Sequence, residues 1–188
     1  MDSIADYIFE AGMLKRVARS GWWAEKVKYP ESVAEHSFRT AIVAFILAKM
    51  EGMDDDKARR LCTAAVFHDM HEARLGDMNK ITARYITITK QLERKVEMDQ
   101  IRNVPKELQN AISSALELNE KELVILKDAD YLECAFQAKE YIDIGHKGAA
   151  SWIKSIEGRL RTTSANKLLA KMKAKDSNDW WKGLKKIE

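Results

Sequence analysis

His68 and Asp69 stand side by side in AAVFHDMHEARLGD, residues 64–77, just after a run of small apolar residues. His71, Glu72 and Asp77 follow closely. Imidazoles and carboxylates are the side chains that ligate transition metals and move protons near neutral pH. At the end of an apolar segment they are costly to bury unpartnered. Either this segment end is solvated, or something there satisfies it, and a metal ion is one candidate. On a continuous helix His68 and Glu72, four residues apart, share a face. Asp69 lies about 100° further round, so His68 and Asp69 can both reach an ion beside the helix.

Two more residues suit the same chemistry. His36 falls in the first turn of its own helix, where the positive helix end disfavours imidazolium and so favours the neutral ring that a metal needs. Asp130 sits in LKDAD, inside an apolar helix, where an isolated carboxylate is expensive. Two His and two Asp from three helices make a mixed nitrogen and oxygen site, suited to Mn, Fe, Co, Ni or Zn rather than Ca or Mg. The spacing leaves the bland alternative open: an HD dipeptide is common, and Asp128 and Asp130 could bracket an exposed turn. His71 and His146 read as ordinary histidines.

Helices must position these groups, because the apolar periodicity is helical nearly throughout. Ile4, Ile8, Ala11, Leu14 and Ala18 mark one face of a first helix that Gly21 interrupts. In YPESVAEHSFRTAIVAFILAKMEG, Ser32 and Glu35 have the form of a capping box, and Gly52 is a plausible stop. The next helix opens in the acidic Asp54–Asp56 run and continues through His68 to Leu75, ending at Gly76. Helical patterns follow around Glu93–Met98, after Pro105 and up to Gly145. From Ser151 two more are expected, split near DSND. YITITK, residues 85–90, is read as helix or loop. The expected fold is all-α: one irregular helical bundle over residues 1–188, with C-terminal helices over 151–188 packed on a motif core of about 14–144.

Bulk composition agrees. The chain has 188 residues, 46% hydrophobic and 32% charged, with only eight Gly and two Pro, which describes a globular domain without linkers. A net charge of +3 is too mild to argue for nucleic acid. Arg159, Arg161, Lys167, Lys171, Lys173 and Lys175 read as a solvated face, and Trp152, Trp180 and Trp181 as packing residues. Cys62 and Cys134 form no C-x-x-C pair and read as small core residues, as suits a cytoplasmic protein. The N-terminus has no signal-peptide pattern, and no apolar run is long enough to span a membrane. No phosphate-cradling or dinucleotide-binding glycine motif is present.

The order Glu35-His36, then HDMHE with Gly76-Asp77, then LKDAD ending at Asp130 resembles the HD-domain metal-dependent phosphohydrolases. LKRVARSGWW, PESVAEHSFRTA and HDMHEARLGDM are similar to the branch containing bacterial 5′-deoxynucleotidases and their archaeal and eukaryotic relatives. The resemblance runs from Leu14 to Ile144. It implies an all-α homodimer that removes phosphate from deoxyribonucleoside 5′-monophosphates with one divalent metal. It implies His36, His68, Asp69 and Asp130 as ligands, Glu72 as the carboxylate that handles the attacking water, and Asp77 as a second active-site carboxylate. Arg19 matches a phosphate-contacting base. In the bacterial enzymes this Arg and a Trp are adjacent, whereas here RSGWW separates Arg19 from Trp22, as in the eukaryotic-type relatives. Trp22 is the expected substrate-side aromatic and Trp23 a packing residue. Other expectations in the same superfamily are hydrolysis of nucleoside triphosphates or cyclic nucleotides. A non-catalytic metal and nucleotide sensor is the remaining alternative, against which the carboxylates Glu72 and Asp77 argue.

Overall fold

The computed structural model describes residues 1–185; the last three residues of the expected C-terminal segment lie outside the described residues. It is all-α. Helices α1 (Asp2–Ala11), α2 (Val33–Met50), α3 (Asp55–Phe67), α4 (Glu72–Leu75), α5 (Lys90–Gln100), α6 (Lys106–Leu116), α7 (Glu120–Asp143), α8 (Ala150–Glu157) and α9 (Thr163–Lys173) are joined by short turns, apart from long connections over residues 12–32 and 76–89. Among the described residues the sole β pairing is an isolated bridge between Ala18 and Ser32.

The centre is α2, flanked by α3 and α7, with α8 and α9 packed on α7. Both central helices begin with a complete capping box: Ser32 with Glu35 on α2, and Asn119 with Glu122 on α7. Each satisfies otherwise orphaned backbone donors, and a cap of this kind contributes about 1 kcal/mol. The main core joins Val43, Ala44 and Leu47 of α2 to Leu61 and Ala65 of α3, Ile125, Leu132 and Ala135 of α7, and Leu169 of α9. A smaller cluster of Leu14, Val33 and Met70 closes the N-terminal side.

The buried faces change character along their length. On α2, buried His36, Ser37 and Thr40 precede the buried Ala41, Val43, Ala44, Leu47 and Ala48. On α7, buried Asp128 and Glu133 interrupt Ile125, Ala129, Leu132 and Ala135. His36 and Glu133, one from each face, meet at the site described below.

Several boundaries differ from expectation. α1 ends at Ala11 and tightens into a 3-10 turn over Gly12–Lys15. Ile8 is exposed and Tyr7 packs against the small cluster instead. The helix expected to run to Leu75 stops at Phe67, and the chain turns through residues 68–71 before α4. The break between the last two helices falls at residues 158–162, ahead of DSND. There the buried Asp128 carboxylate accepts hydrogen bonds from the Arg161 amide at 3.0 Å and from the Thr162 amide and hydroxyl, both at 2.7 Å. That buried anchor fixes where α9 starts. Residues 85–90 are largely loop, and Thr89 caps α5. Trp180 and Trp181 are exposed rather than packed.

Candidate active site

The turn after α3 determines how the central pair points. Amide bonds there shorten to the i, i−3 pattern: Met70 to Phe67, Glu72 to Asp69 and Ala73 to Met70. This tighter winding means that, contrary to expectation, His68 and Glu72 do not lie on one continuous helix; His68 caps α3 and Glu72 opens α4. His68 Nε2 lies 3.2 Å from Asp69 Oδ2. His36 Nε2, from the first turns of α2, lies 3.7 Å from the same oxygen and 3.3 Å from Asp130 Oδ1 on α7. All four expected ligands therefore converge. His36 is fully buried.

Each imidazole is held from behind. His68 Nδ1 donates to the Ala65 carbonyl at 2.7 Å. His36 Nδ1 bonds the buried Glu133 carboxylate, which in turn accepts from Arg39 Nε at 2.9 Å. Such partners fix a ring's orientation and leave Nε2 free to ligate a metal. Glu133 and Arg39 were not singled out in the sequence; the available signal was that Glu133 lies three residues from Asp130 and Arg39 three from His36, on shared helix faces.

The residues present fit a divalent cation. His68 Nε2 and Glu72 Oε2 are buried and have no hydrogen-bond partner, which is unusual for native polar atoms. Burial alone would push Asp69 and Asp130 up, but the imidazoles and, at Asp130, Lys127 hold both below the ordinary carboxylate range. Burial and Arg19 would lower the His36 pKa, yet hydrogen bonds to Asp130 and Glu133 raise it well above the usual range. The neutral ring expected from the helix end is thus opposed by two carboxylates, which outweigh a dipole effect of about 1 kcal/mol. A cation held among the same acids would take over the proton's electrostatic role, since a ligating imidazole must be unprotonated. Glu72 is pushed up to about 9 by burial and by the negative charge of Asp69.

Arg19 enters from the loop before the first tryptophan. Its Nη1 donates to Asp77 Oδ1 at 2.8 Å and lies 3.9 Å from Asp69 Oδ2. The other Asp77 oxygen accepts from the Ser20 amide at 2.7 Å and hydroxyl at 2.8 Å. Asn79 Nδ2 adds a bond to Ser20 Oγ at 3.0 Å. Gly76, at φ +75°, provides the left-handed turn that brings Asp77 back to Arg19. Ser20 and Asn79, also missed in the sequence, lock the two loops together. Cys134 is buried as expected, but its sulfur also receives Arg19 Nη2 at 3.4 Å.

These groups open into a cavity of about 300 Å³ lined by Arg19, Asp69, Glu72, Asp77 and Asp130, with Trp22 among its walls. That volume is at the lower end for small-ligand sites. Trp22 is 1% exposed; its ring stacks on Trp152 at 4.3 Å and its Nε1 donates to Glu31 at 3.0 Å. Trp23 is 56% exposed and lines a neighbouring hollow, so the packing role expected for Trp23 belongs to Trp22. His71 Nδ1 faces Glu97 of α5 at 3.5 Å, and His146 Nδ1 bonds the Glu25 carbonyl.

Comparison with known proteins bears on this geometry. The 5′-deoxynucleotidase HDDC2 of Homo sapiens is 28% identical over 187 residues, covering 94% of this chain and 88% of that protein. The Bos taurus protein of the same name is 32% identical, covering 77% of this chain and 71% of its own length. The solved structure of genomics APC5600 superposes with a TM-score of 0.81 at 36% identity, over 96% of this chain and 99% of that one. The HD domain family model matches residues 11–172, and this chain belongs to the HD-domain family.

Proposed function

We propose that this protein is a metal-dependent 5′-deoxynucleotidase, a phosphohydrolase that converts deoxyribonucleoside 5′-monophosphates to deoxyribonucleosides and phosphate. Relatives at 28% and 32% identity over most of the chain carry that activity in their names. The observation that carries the reading is the convergence of His36, His68, Asp69 and Asp130 beside Arg19 and the unpartnered Glu72 carboxylate, in one cavity.

His36, His68, Asp69 and Asp130 would hold one divalent transition metal, of the Mn, Co, Fe, Ni or Zn class that this mixed donor set suits. Such a cation supplies Lewis acidity and lowers the pKa of water. Glu72 accepts the proton of the attacking water as its oxygen adds to phosphorus. The phosphorus–O5′ bond breaks, and the departing alkoxide takes the proton that Glu72 received from the water, becoming the nucleoside hydroxyl and restoring the carboxylate. Arg19 donates to the non-bridging phosphate oxygens, as a planar fork of donors can. Asp77, whose oxygens are engaged by Arg19 and Ser20, acts by holding Arg19 in place. Trp22 serves as cavity wall, backed by Trp152.

The assembly we propose is a homodimer. Phe38, Ile42, Phe45, Ile46 and Met50 form an exposed apolar stripe along α2, the kind of surface that marks an interface. No described helix is long and apolar enough to cross a membrane, and two free cysteines suit a reducing cytoplasm. The test is phosphate release from nucleoside mono-, di- and triphosphates, ribo and deoxy, over a panel of divalent metals. Release confined to deoxyribonucleoside monophosphates is expected. Preferential cleavage of triphosphates or cyclic nucleotides, or binding without turnover, overturns the reading.

A further inference from the structure

The chemistry above gives His71 no role, yet its surroundings are unusual. It is 8% exposed, and its Nδ1 is buried without a hydrogen-bond partner. Glu97 on α5 approaches that nitrogen at 3.5 Å without bonding it. Glu72 Oε2, on the next residue, is likewise buried and unpartnered. Native interiors rarely leave polar atoms in this state, and here two adjacent residues do so.

The tight turn groups these side chains. The Glu72 amide bonds the Asp69 carbonyl, and in this 3-10 winding side chains three residues apart eclipse one another. One ring nitrogen of His71, one oxygen of Glu72 and one oxygen of Asp69 all lie within 4.8 Å of one another. Asp69 turns its Oδ2 toward His36 and His68. Its Oδ1 is left over, and a carboxylate can serve two ions through its two oxygens.

Resting on the deoxynucleotidase reading, we propose that Asp69, His71 and Glu72 form a second, weaker divalent-cation site whose occupancy inhibits the enzyme. An imidazole with two carboxylates suits the same Mn, Co, Fe, Ni or Zn class as the first site. An ion there engages the carboxylate that otherwise accepts the proton of the attacking water. The base is lost while the first ion and the Arg19 contact to phosphate remain. Binding is weaker than at the first site because three side chains are offered instead of four, and because two cations repel across the shared Asp69. Glu97 stands behind His71 as Glu133 stands behind His36, where a slight approach completes the hydrogen bond that supports a ligating ring.

The test counts Mn²⁺ bound per chain by equilibrium dialysis and follows phosphate release from dAMP at the same free Mn²⁺ concentrations. It compares the wild type with His71→Leu, which removes the ring nitrogens, and with Glu97→Gln, which removes only the supporting charge. The wild type should reach its full rate at one ion per chain. It should then bind a second ion at least about tenfold more weakly, and as that ion fills, the rate should fall by about 10² or more, as when a positioned base is removed. His71→Leu should bind one ion and hold its full rate at excess Mn²⁺. Glu97→Gln should shift the second binding step and the inhibition together, by about tenfold, and it decides the matter if His71→Leu does not fold. A wild type that binds one ion only, a second ion that leaves the rate unchanged, or a second ion kept at wild-type affinity by both variants overturns the proposal. If dAMP is hydrolysed at no metal concentration, the proposed function fails separately, and the ion count in the same proteins still decides on the site.

Discussion

Glu72 has a buried oxygen with no partner. Burial and Asp69 push its carboxyl up to about 9, and a cation bound beside Asp69 would return it toward the ionised form that a base needs. Glu72→Ala should therefore leave metal content and nucleotide affinity near wild type while turnover falls by about 10² to 10⁴, the usual share of a positioned general base. A loss confined to kcat, read beside calorimetric binding, is the expected result. Glu133 makes a different case. It is fully buried between His36 and Arg39, so Glu133→Gln should weaken metal affinity about 10- to 100-fold, as loss of a ligand's supporting hydrogen bond does; competition with a chelating dye measures it. Residue type and spacing raised a cation site in the sequence without deciding it, since His and Asp are costly in apolar helices but HD is a common dipeptide; the order of motifs resembling the HD-domain family named the four candidates. Glu133 was not legible, since one more glutamate in a long charged helix resembles a solvent-facing residue until the neighbouring helix is seen to cover it.

At the level of elements, capped helices were read well. The Ser32–Glu35 box and the Asp54 cap both form, because these signals are local and need no tertiary information. The turn at residues 68–71 was not legible, as apolar spacing continues through it; its tighter winding accompanies the seating of Met70 against Leu14 and Val33. The N-terminal tryptophans were half read. Trp22, the expected substrate-side aromatic, lines the cavity, but its burial and its contact with Trp152 depend on a helix far along the chain. Trp22→Ala should cost about 3–5 kcal/mol, typical of a buried aromatic, whereas Trp23→Ala should stay within about 0.5 kcal/mol. Urea unfolding of the two variants checks the ranking, and equal losses would refute it. Gly21→Ala should also destabilise, by driving a methyl group against the Trp152 ring.

For the molecule as a whole, the all-α bundle followed from sparse glycine and proline and from helical periodicity. What periodicity could not supply was which apolar face stays uncovered, because α2 is apolar on more than one side. Its core side meets α3 and α7, and its outer side carries Ile42 and Phe45 into solvent. Ile42→Glu should convert a dimer to a monomer in sedimentation velocity while leaving the helical circular dichroism unchanged; a wild type that sediments as a monomer would contradict the proposed assembly. The central claim joins one cation to one reaction. It is tested most directly by stripping the protein with chelator and following phosphate release from deoxyribonucleoside monophosphates as a divalent transition metal is returned. The account predicts no release from the stripped protein, and activity that rises linearly and saturates at one metal per chain. Full activity without metal, or activity that first appears at a second equivalent, would contradict it.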